Sequence, residues 1–219
     1  MTWVPVAVAS VVALAVAAAT PAVLRRLPEP RDDPDAAAKT PYAALSTPPF
    51  LLVVASLALA SGLAAFGATA PSAWLAWASL VGPGALAIAV DGATTWLPRV
   101  LTRTMAVVAT AGIGVQALAD ADPSVAARAA LGTVAVGGFF YLFWRVTGGI
   151  GFGDVRLMAV VGAVTAAHSV QLAVWGVLIG TLLGAAWGVA RRILRGPGAF
   201  PYGPPLWLGP FVALWLPLG

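Results

Sequence analysis

Apolar residues form long runs along this chain, and short polar segments separate them. The first run extends from about Val4 to Leu24, and later runs cover residues 50–68, 73–90, 101–119 and 125–146. The next apolar stretch, residues 155–190, is too long for one bilayer crossing, so we expect it to turn near His168 and Ser169. With a weaker segment over residues 206–218, the pattern predicts about eight transmembrane helices.

Composition supports a membrane protein built from helices. The chain is 60% hydrophobic and 9% charged, and its mean hydropathy is +0.93. Only helices and closed barrels satisfy the backbone inside hydrocarbon, and long Ala/Val/Leu runs favour helices. We therefore predict an all-α polytopic membrane protein with no soluble domain. Residues 1–49 would form the first transmembrane helix and a short cytosolic loop, and residues 50–219 would form one membrane-embedded bundle.

The basic residues predict how the chain lies in the membrane. No Lys or Arg precedes the first run, whereas Arg25 and Arg26 follow it directly, which places the N-terminus outside. With this orientation, eleven of the twelve basic residues fall on the cytosolic side and only Arg128 falls opposite. The missing basic segment ahead of the run favours a retained span over a cleaved signal peptide. Membrane orientation explains this charge pattern better than nucleic-acid binding does.

Two aspartates, Asp91 and Asp154, lie at the cytosolic ends of their predicted helices. A carboxylate beside hydrocarbon is costly, so both residues are candidates for a function. Two neighbouring carboxyl groups share one proton, because they cannot both ionise cheaply. The charged group can then activate a water while the protonated group polarises a carbonyl, which is amide hydrolysis by an aspartic dyad.

Glycine and proline shape the backbone around both aspartates. Gly151 and Gly153 allow a close approach of substrate or of another helix beside Asp154. Pro98 biases Leu97 toward an extended conformation, which should end the helix that carries Asp91. Further upstream, the Gly82-Pro83-Gly84 sequence should kink or break the third span.

These residues resemble the signatures of the type IV prepilin peptidases, membrane aspartic proteases that trim the leaders of pilins and pseudopilins. Three segments carry the resemblance, namely Asp91 followed by Leu97-Pro98 and Leu101-Thr102, then Gly151-Phe152-Gly153-Asp154-Val155-Arg156-Leu157, and finally Pro201-Tyr202-Gly203-Pro204. The last segment is similar to a Pro-Phe-Gly-Pro element near the family's C-terminus. The similarity covers roughly residues 75–215.

The resemblance implies an aspartic endopeptidase of the bacterial plasma membrane, with Asp91 and Asp154 as the catalytic pair. Leu97, Pro98, Gly151, Gly153 and Arg156 would belong to its active-site motifs. Its partners would be the lipid bilayer and a prepilin or pseudopilin precursor, cleaved on the cytosolic side after a glycine that precedes the hydrophobic helix.

Longer members of that family carry a cysteine-rich zinc loop and also methylate the new N-terminus. Here residues 25–49 form a short segment, and the whole chain has no cysteine. We therefore expect a short form without the zinc site, without another metal or a cofactor, and without methyltransferase activity. The chain's one histidine, His168, falls in a predicted external turn and is not expected to bind a metal.

Three other features have simpler interpretations. Arg156 replaces the family's usual Lys, and we favour anchoring at lipid headgroups over attraction of the leader. The glycines at positions 180, 184 and 188 favour close packing within the chain over a homodimer interface. The acidic residues of the first loop, Asp32, Asp33 and Asp35, are expected to be solvated.

Two alternative functions stay open on sequence grounds. A presenilin-type intramembrane protease usually has Tyr before its first aspartate and a later Pro-Ala-Leu element, whereas Val90 precedes Asp91 here and no Pro-Ala-Leu occurs. A proton- or cation-coupled carrier would bind its ion near the bilayer midplane and show internal repeats. No convincing repeat is visible, and both aspartates lie toward one face.

Overall fold

The computed structural model describes residues 3–29, 39–196 and 200–216. Within these residues the regular structure is entirely helical, as the sequence predicted. The α-helices are α1 Trp3–Leu24, α2 Pro48–Ala68, α3 Trp74–Ser79, α4 Ala85–Thr94, α5 Arg99–Ala119, α6 Ser124–Thr147, α7 Phe152–His168, α8 Val170–Arg195 and α9 Gly203–Ala213. Single 3₁₀ turns at Tyr42–Leu45 and Pro71–Ala73 precede α2 and α3.

Six helical segments in the described part of the chain are long and apolar enough to cross a membrane. They are Trp3–Leu24, Pro48–Ala68, Pro71–Thr94, Arg99–Ala119, Ser124–Thr147 and Val170–Leu194. This result is consistent with a polytopic membrane protein. Helices α7 and α9 lie where helices were expected but have only 17 and 11 residues. Eight crossings and an outside N-terminus remain predictions, and Asp32, Asp33 and Asp35 lie outside the described residues.

The third span is interrupted at the expected place. A π-helical segment, Leu80–Gly84, contains Pro83 and joins α3 to α4 without ending the helix. Proline has no amide hydrogen and disturbs the preceding turn, so carbonyl groups there lose their usual partners. The indole Nε1–H of Trp207 donates to the Leu80 carbonyl oxygen at 2.9 Å. This hydrogen bond ties α9 to the interrupted span.

The two helices that carry the aspartates are the most enclosed elements of the bundle. Every residue of α4 from Ala85 to Asp91 is buried. Helix α7 contacts α5, α6, α8 and α9 and is buried along most of its length. Against α6, a side chain at Gly132 would overlap the Gly162 carbonyl oxygen, so these backbones approach more closely than alanine would permit. Both aspartates therefore extend from a rigid, central scaffold.

The glycine face of α8 holds the C-terminal segment in place. A Cβ added at position 180, 184 or 188 would lie 2.7–2.9 Å from Leu206, Tyr202 or Phe200 respectively. The prediction that these glycines serve packing within the chain is confirmed. Because α8 fixes residues 200–206, it also fixes the start of α9 beside α4.

Candidate active site

Both aspartates line one cavity of about 1200 Å³ at one end of the bundle. Its walls come from the end of α4 and the linker to α5, from the glycine-rich linker between α6 and α7, from the first polar loop, and from the segment before α9. Among the residues that the sequence singled out, its lining includes Asp91, Leu97, Pro98, Gly151, Gly153, Asp154, Arg156 and Tyr202. Residues distant in sequence therefore meet at one site.

Asp91 lies in the last turn of α4, and its side chain is buried. The amide of Gly203 donates to Asp91 Oδ2 at 3.1 Å. Gly203 is the first residue of α9, and Pro204 and Pro205 after it have no amide hydrogen, so the contact of this helix N-terminus with the carboxylate is made by the Gly203 amide. A Cβ at position 203 would lie 2.6 Å from the same oxygen, so glycine is required for this contact.

Helix α4 ends at Thr94, three residues after Asp91, because the backbone turns at Thr95. Thr95 has φ 60°, in the left-handed region that non-glycine residues rarely adopt, and its amide donates to the Asp91 carbonyl at 2.7 Å. The chain then continues without regular structure to Pro98, which precedes the first turn of α5. The predicted helix end before Leu97-Pro98 is confirmed.

Asp154 lies in the first turn of α7 and is held by reciprocal hydrogen bonds with Gly151. The Gly151 amide donates to Asp154 Oδ2 at 3.0 Å, and the Asp154 amide donates to the Gly151 carbonyl at 3.0 Å. This arrangement caps the helix and fixes the carboxylate. A Cβ at Gly153 would lie 2.8 Å from Leu97 Cβ, so the Gly-x-Gly-Asp and Leu-Pro segments are in direct contact.

Two tyrosines provide phenol groups next to the carboxylates. Asp91 and Asp154 are near enough for their charges to interact. Burial, with the negative charges of Glu29 and Asp91, raises the pKa of Tyr42 to about 12. Burial and the charge of Asp154 raise the pKa of Tyr202 above its ordinary value. Both phenols are therefore neutral at physiological pH.

Sequence reasoning missed the contribution of the first polar loop. Lys39, Tyr42 and Glu29 all line the cavity. The Tyr42 amide donates to Glu29 Oε1 at 3.0 Å, and the Tyr42 ring meets the Trp96 ring edge-to-face at 6.0 Å. Lys39 Nζ lies 4.3 Å from the centroid of Trp96. In the sequence, only the aromatic residue Tyr42 between polar segments indicated that this loop contributes to the cavity, and one such residue is a weak signal.

The remaining candidate residues lie at different distances from the carboxylates. Arg156 is half-buried in the cavity wall, with its guanidinium 5.6 Å from the Phe152 ring centroid. Pro201 and Pro204 flank the Tyr202-Gly203 pair but do not line the cavity. His168 is the last residue of α7. It lies fourteen residues after Asp154, which is about 21 Å of helix. Among the described residues, no group of three or more His, Cys, Asp or Glu side chains could hold a metal.

The geometry is suited to a reaction that needs two carboxyl groups. Each aspartate is fixed by a backbone amide, and the two come from separate, central helices. A pair of interacting carboxyl groups can hold one proton between them and act as acid and base together.

Comparison with known proteins gives one family match. The model of the Type IV leader peptidase family matches residues 79–189, which is just over half of the chain and includes both aspartates. No curated protein and no solved structure matches the chain.

Proposed function

Because the chain belongs to the type IV leader peptidase family, we propose that it removes the leaders of type IV pilin-like or pseudopilin precursors on the cytosolic side of the membrane. Asp91 and Asp154 would form the catalytic pair. The observation that carries this proposal is the convergence of both carboxylates on one cavity, each fixed by a backbone amide.

The reaction requires one ionised and one protonated carboxyl group. The ionised group accepts a proton as the water oxygen attacks the scissile carbonyl carbon, while the other group donates its proton to the carbonyl oxygen. The resulting diol then returns one hydroxyl proton to the second carboxylate. The C–N bond breaks as the first carboxyl group protonates the leaving nitrogen. The pair ends with one proton, as it began, so no further reactant is needed.

The surroundings of the pair support this chemistry. The Gly203 and Gly151 amides orient the carboxylates before the substrate arrives, so little reorganisation is required during the reaction. The phenols of Tyr42 and Tyr202 stay neutral, so these two side chains add no negative charge beside the carboxylates. A cavity of about 1200 Å³ exceeds the roughly 300–1,000 Å³ of small-molecule pockets, which favours a peptide segment.

The family and the membrane setting support this choice of substrate class. A leader peptidase of this family would act on a precursor whose leader is followed by an apolar helix. The cavity lies at the end of the bundle that carries Arg99 and Arg156, and the distribution of basic residues predicts that this end is cytosolic. A precursor with its apolar helix in the bilayer would therefore present its cleavage site at the depth of the dyad.

The test is cleavage of a co-expressed precursor by Asp91→Asn and Asp154→Asn variants. Asparagine keeps the side-chain shape and a carbonyl acceptor for the amide, so both variants should remain in the membrane. Loss of one acid–base group should lower the rate by about 10²–10⁴-fold. Asp120→Asn, at the exposed end of α5, is the matched control and should cleave normally. Normal processing by either active-site variant would refute the dyad.

A further inference from the structure

A second, smaller cavity adjoins the candidate active site. It has a volume of about 320 Å³ and lies between α5, α6 and α7; we call it the α5–α7 groove. Arg156 lines both this groove and the active-site cavity. A chain that leaves the aspartates along this side would therefore pass Arg156 and enter the groove.

The groove follows one face of each of two helices. On α7 it is lined by Arg156, Ala159, Val160 and Ala163, which are spaced as successive turns of one helix face. Ala163 follows Arg156 by seven residues, which corresponds to about 10 Å along the axis. Arg103 and Thr110 occupy matching turns of α5. The groove thus extends for two helical turns away from the catalytic end.

The side chains of the groove favour a helix as its occupant. Alanines at positions 106, 109, 159 and 163 are four of its ten lining residues, and Thr110 and Thr133 add hydroxyl groups. Small residues allow two helix backbones to approach closely in a membrane, and hydroxyl groups can bond across the interface. The other apolar cavity, about 520 Å³ between α6, α7 and α8, is lined by bulkier residues such as Leu131 and Phe139. None of its lining residues reaches the active-site cavity.

Arg156 gives the mouth of the groove a donor for a polar backbone. Its Nε is buried and has no hydrogen-bond partner among the described residues. The charges of Arg99 and Arg103 act on the same guanidinium, so the mouth is strongly positive. A non-helical segment next to a cleavage site has unpaired carbonyl oxygens, and the guanidinium of Arg156, which lines both cavities, can donate a hydrogen bond to one of them.

We propose that the α5–α7 groove binds the first turns of the precursor's apolar helix, directly after the cleavage site, with Arg156 at the junction. This inference rests on the proposed function and deepens it. The groove would set the distance between the helix and the dyad, and hence which peptide bond reaches the carboxylates.

Disulfide cross-linking tests this placement, because the natural chain has no cysteine. An Ala163→Cys variant is combined with Asp91→Asn, so that the precursor stays uncut. Single cysteines are then placed at successive positions of the precursor's apolar helix. A disulfide requires Cα atoms about 4.4–6.8 Å apart, so its formation reports direct contact. Ala135→Cys, in the cavity between α6, α7 and α8, is the matched control.

We expect cross-links to Ala163→Cys at precursor positions three or four residues apart, and none to Ala135→Cys. Failure at position 163, or equal cross-linking at position 135, would overturn the groove assignment if the unsubstituted protein cleaves the same precursor. If it does not cleave that precursor, the proposed function itself fails.

Kinetics of the active protein give a second, independent measurement. Ala163→Phe should fill the groove and raise KM for the precursor by about tenfold or more, with little change in kcat. Ala135→Phe should leave KM unchanged. An unchanged KM in a correctly inserted Ala163→Phe protein would indicate that the groove holds only lipid, and would overturn the inference.

Discussion

Substitution of Gly203 by alanine tests how closely the active site depends on α9. An added Cβ would lie 2.6 Å from Asp91 Oδ2 and 3.3 Å from both Ile88 Cδ1 and Leu97 Cδ1. Carbon and oxygen atoms pack at about 3.5 Å, so the carboxylate or α9 must move by nearly 1 Å. Gly203 itself has no positive φ, so the effect is purely steric. Displacement of a catalytic group by about 1 Å can cost roughly 10²-fold in rate.

We therefore expect Gly203→Ala to lower kcat for precursor cleavage by about 10–100-fold. Overpacking of a core typically costs about 1–3 kcal/mol, so the protein should still insert and fold. Gly92→Ala is the matched control, since that glycine follows Asp91 and has open space around its Cβ position. Alanine is the better helix former, so this control should keep its activity and stability. A Gly203→Ala protein with normal kcat would refute the claim that this amide positions Asp91.

Three further predictions concern the phenol, the packing of α7 and the product. Burial and nearby negative charge raise the pKa of Tyr42 to about 12. The protonated phenol therefore stabilises the folded protein, and this contribution should be lost as pH rises from about 10 to about 12. The Tm of Tyr42→Phe should therefore decrease less over that pH range than the Tm of the unsubstituted protein, and equal decreases would contradict the raised pKa of Tyr42. Gly132→Ala should lower the stability by about 1–3 kcal/mol, because α6 and α7 touch there, whereas Gly138→Ala should not. Mass spectrometry of the mature substrate, processed by this protein alone, should show an unmethylated N-terminus, and one added methyl group would contradict that.

The positions of the helices could be predicted well from the sequence. A bilayer requires about 20 apolar residues per crossing, and this length requirement located most segments to within a few residues. The long apolar stretch after Asp154 was correctly divided, because α7 ends at His168 and α8 begins at Val170. The sequence could not show that α7 is nearly surrounded by other helices. All membrane segments are apolar, so hydropathy does not distinguish a central helix from one that faces lipid.

The site was only partly predictable, because its hydrogen bonds join distant residues. The helix end after Asp91 followed from the local effect of Pro98, and the two aspartates were expected at the same end of the bundle. The amide that holds Asp91 comes from Gly203, which is 112 residues away. No local pattern encodes such a contact. The same limit applies to Tyr42 and Lys39, whose places in the cavity wall depend on how the first polar loop folds back.

The most direct test of the dyad compares the single variants Asp91→Asn and Asp154→Asn with the double variant in single-turnover cleavage of a precursor. If the two carboxyl groups work as one unit, removal of either abolishes the shared-proton mechanism, and the second substitution has little left to remove. We expect each single variant to lose about 10²–10⁴-fold in rate, and the double variant to be no slower than the slower single variant. Losses that multiply in the double variant, or a single variant with near-normal rate, would contradict the shared-proton mechanism.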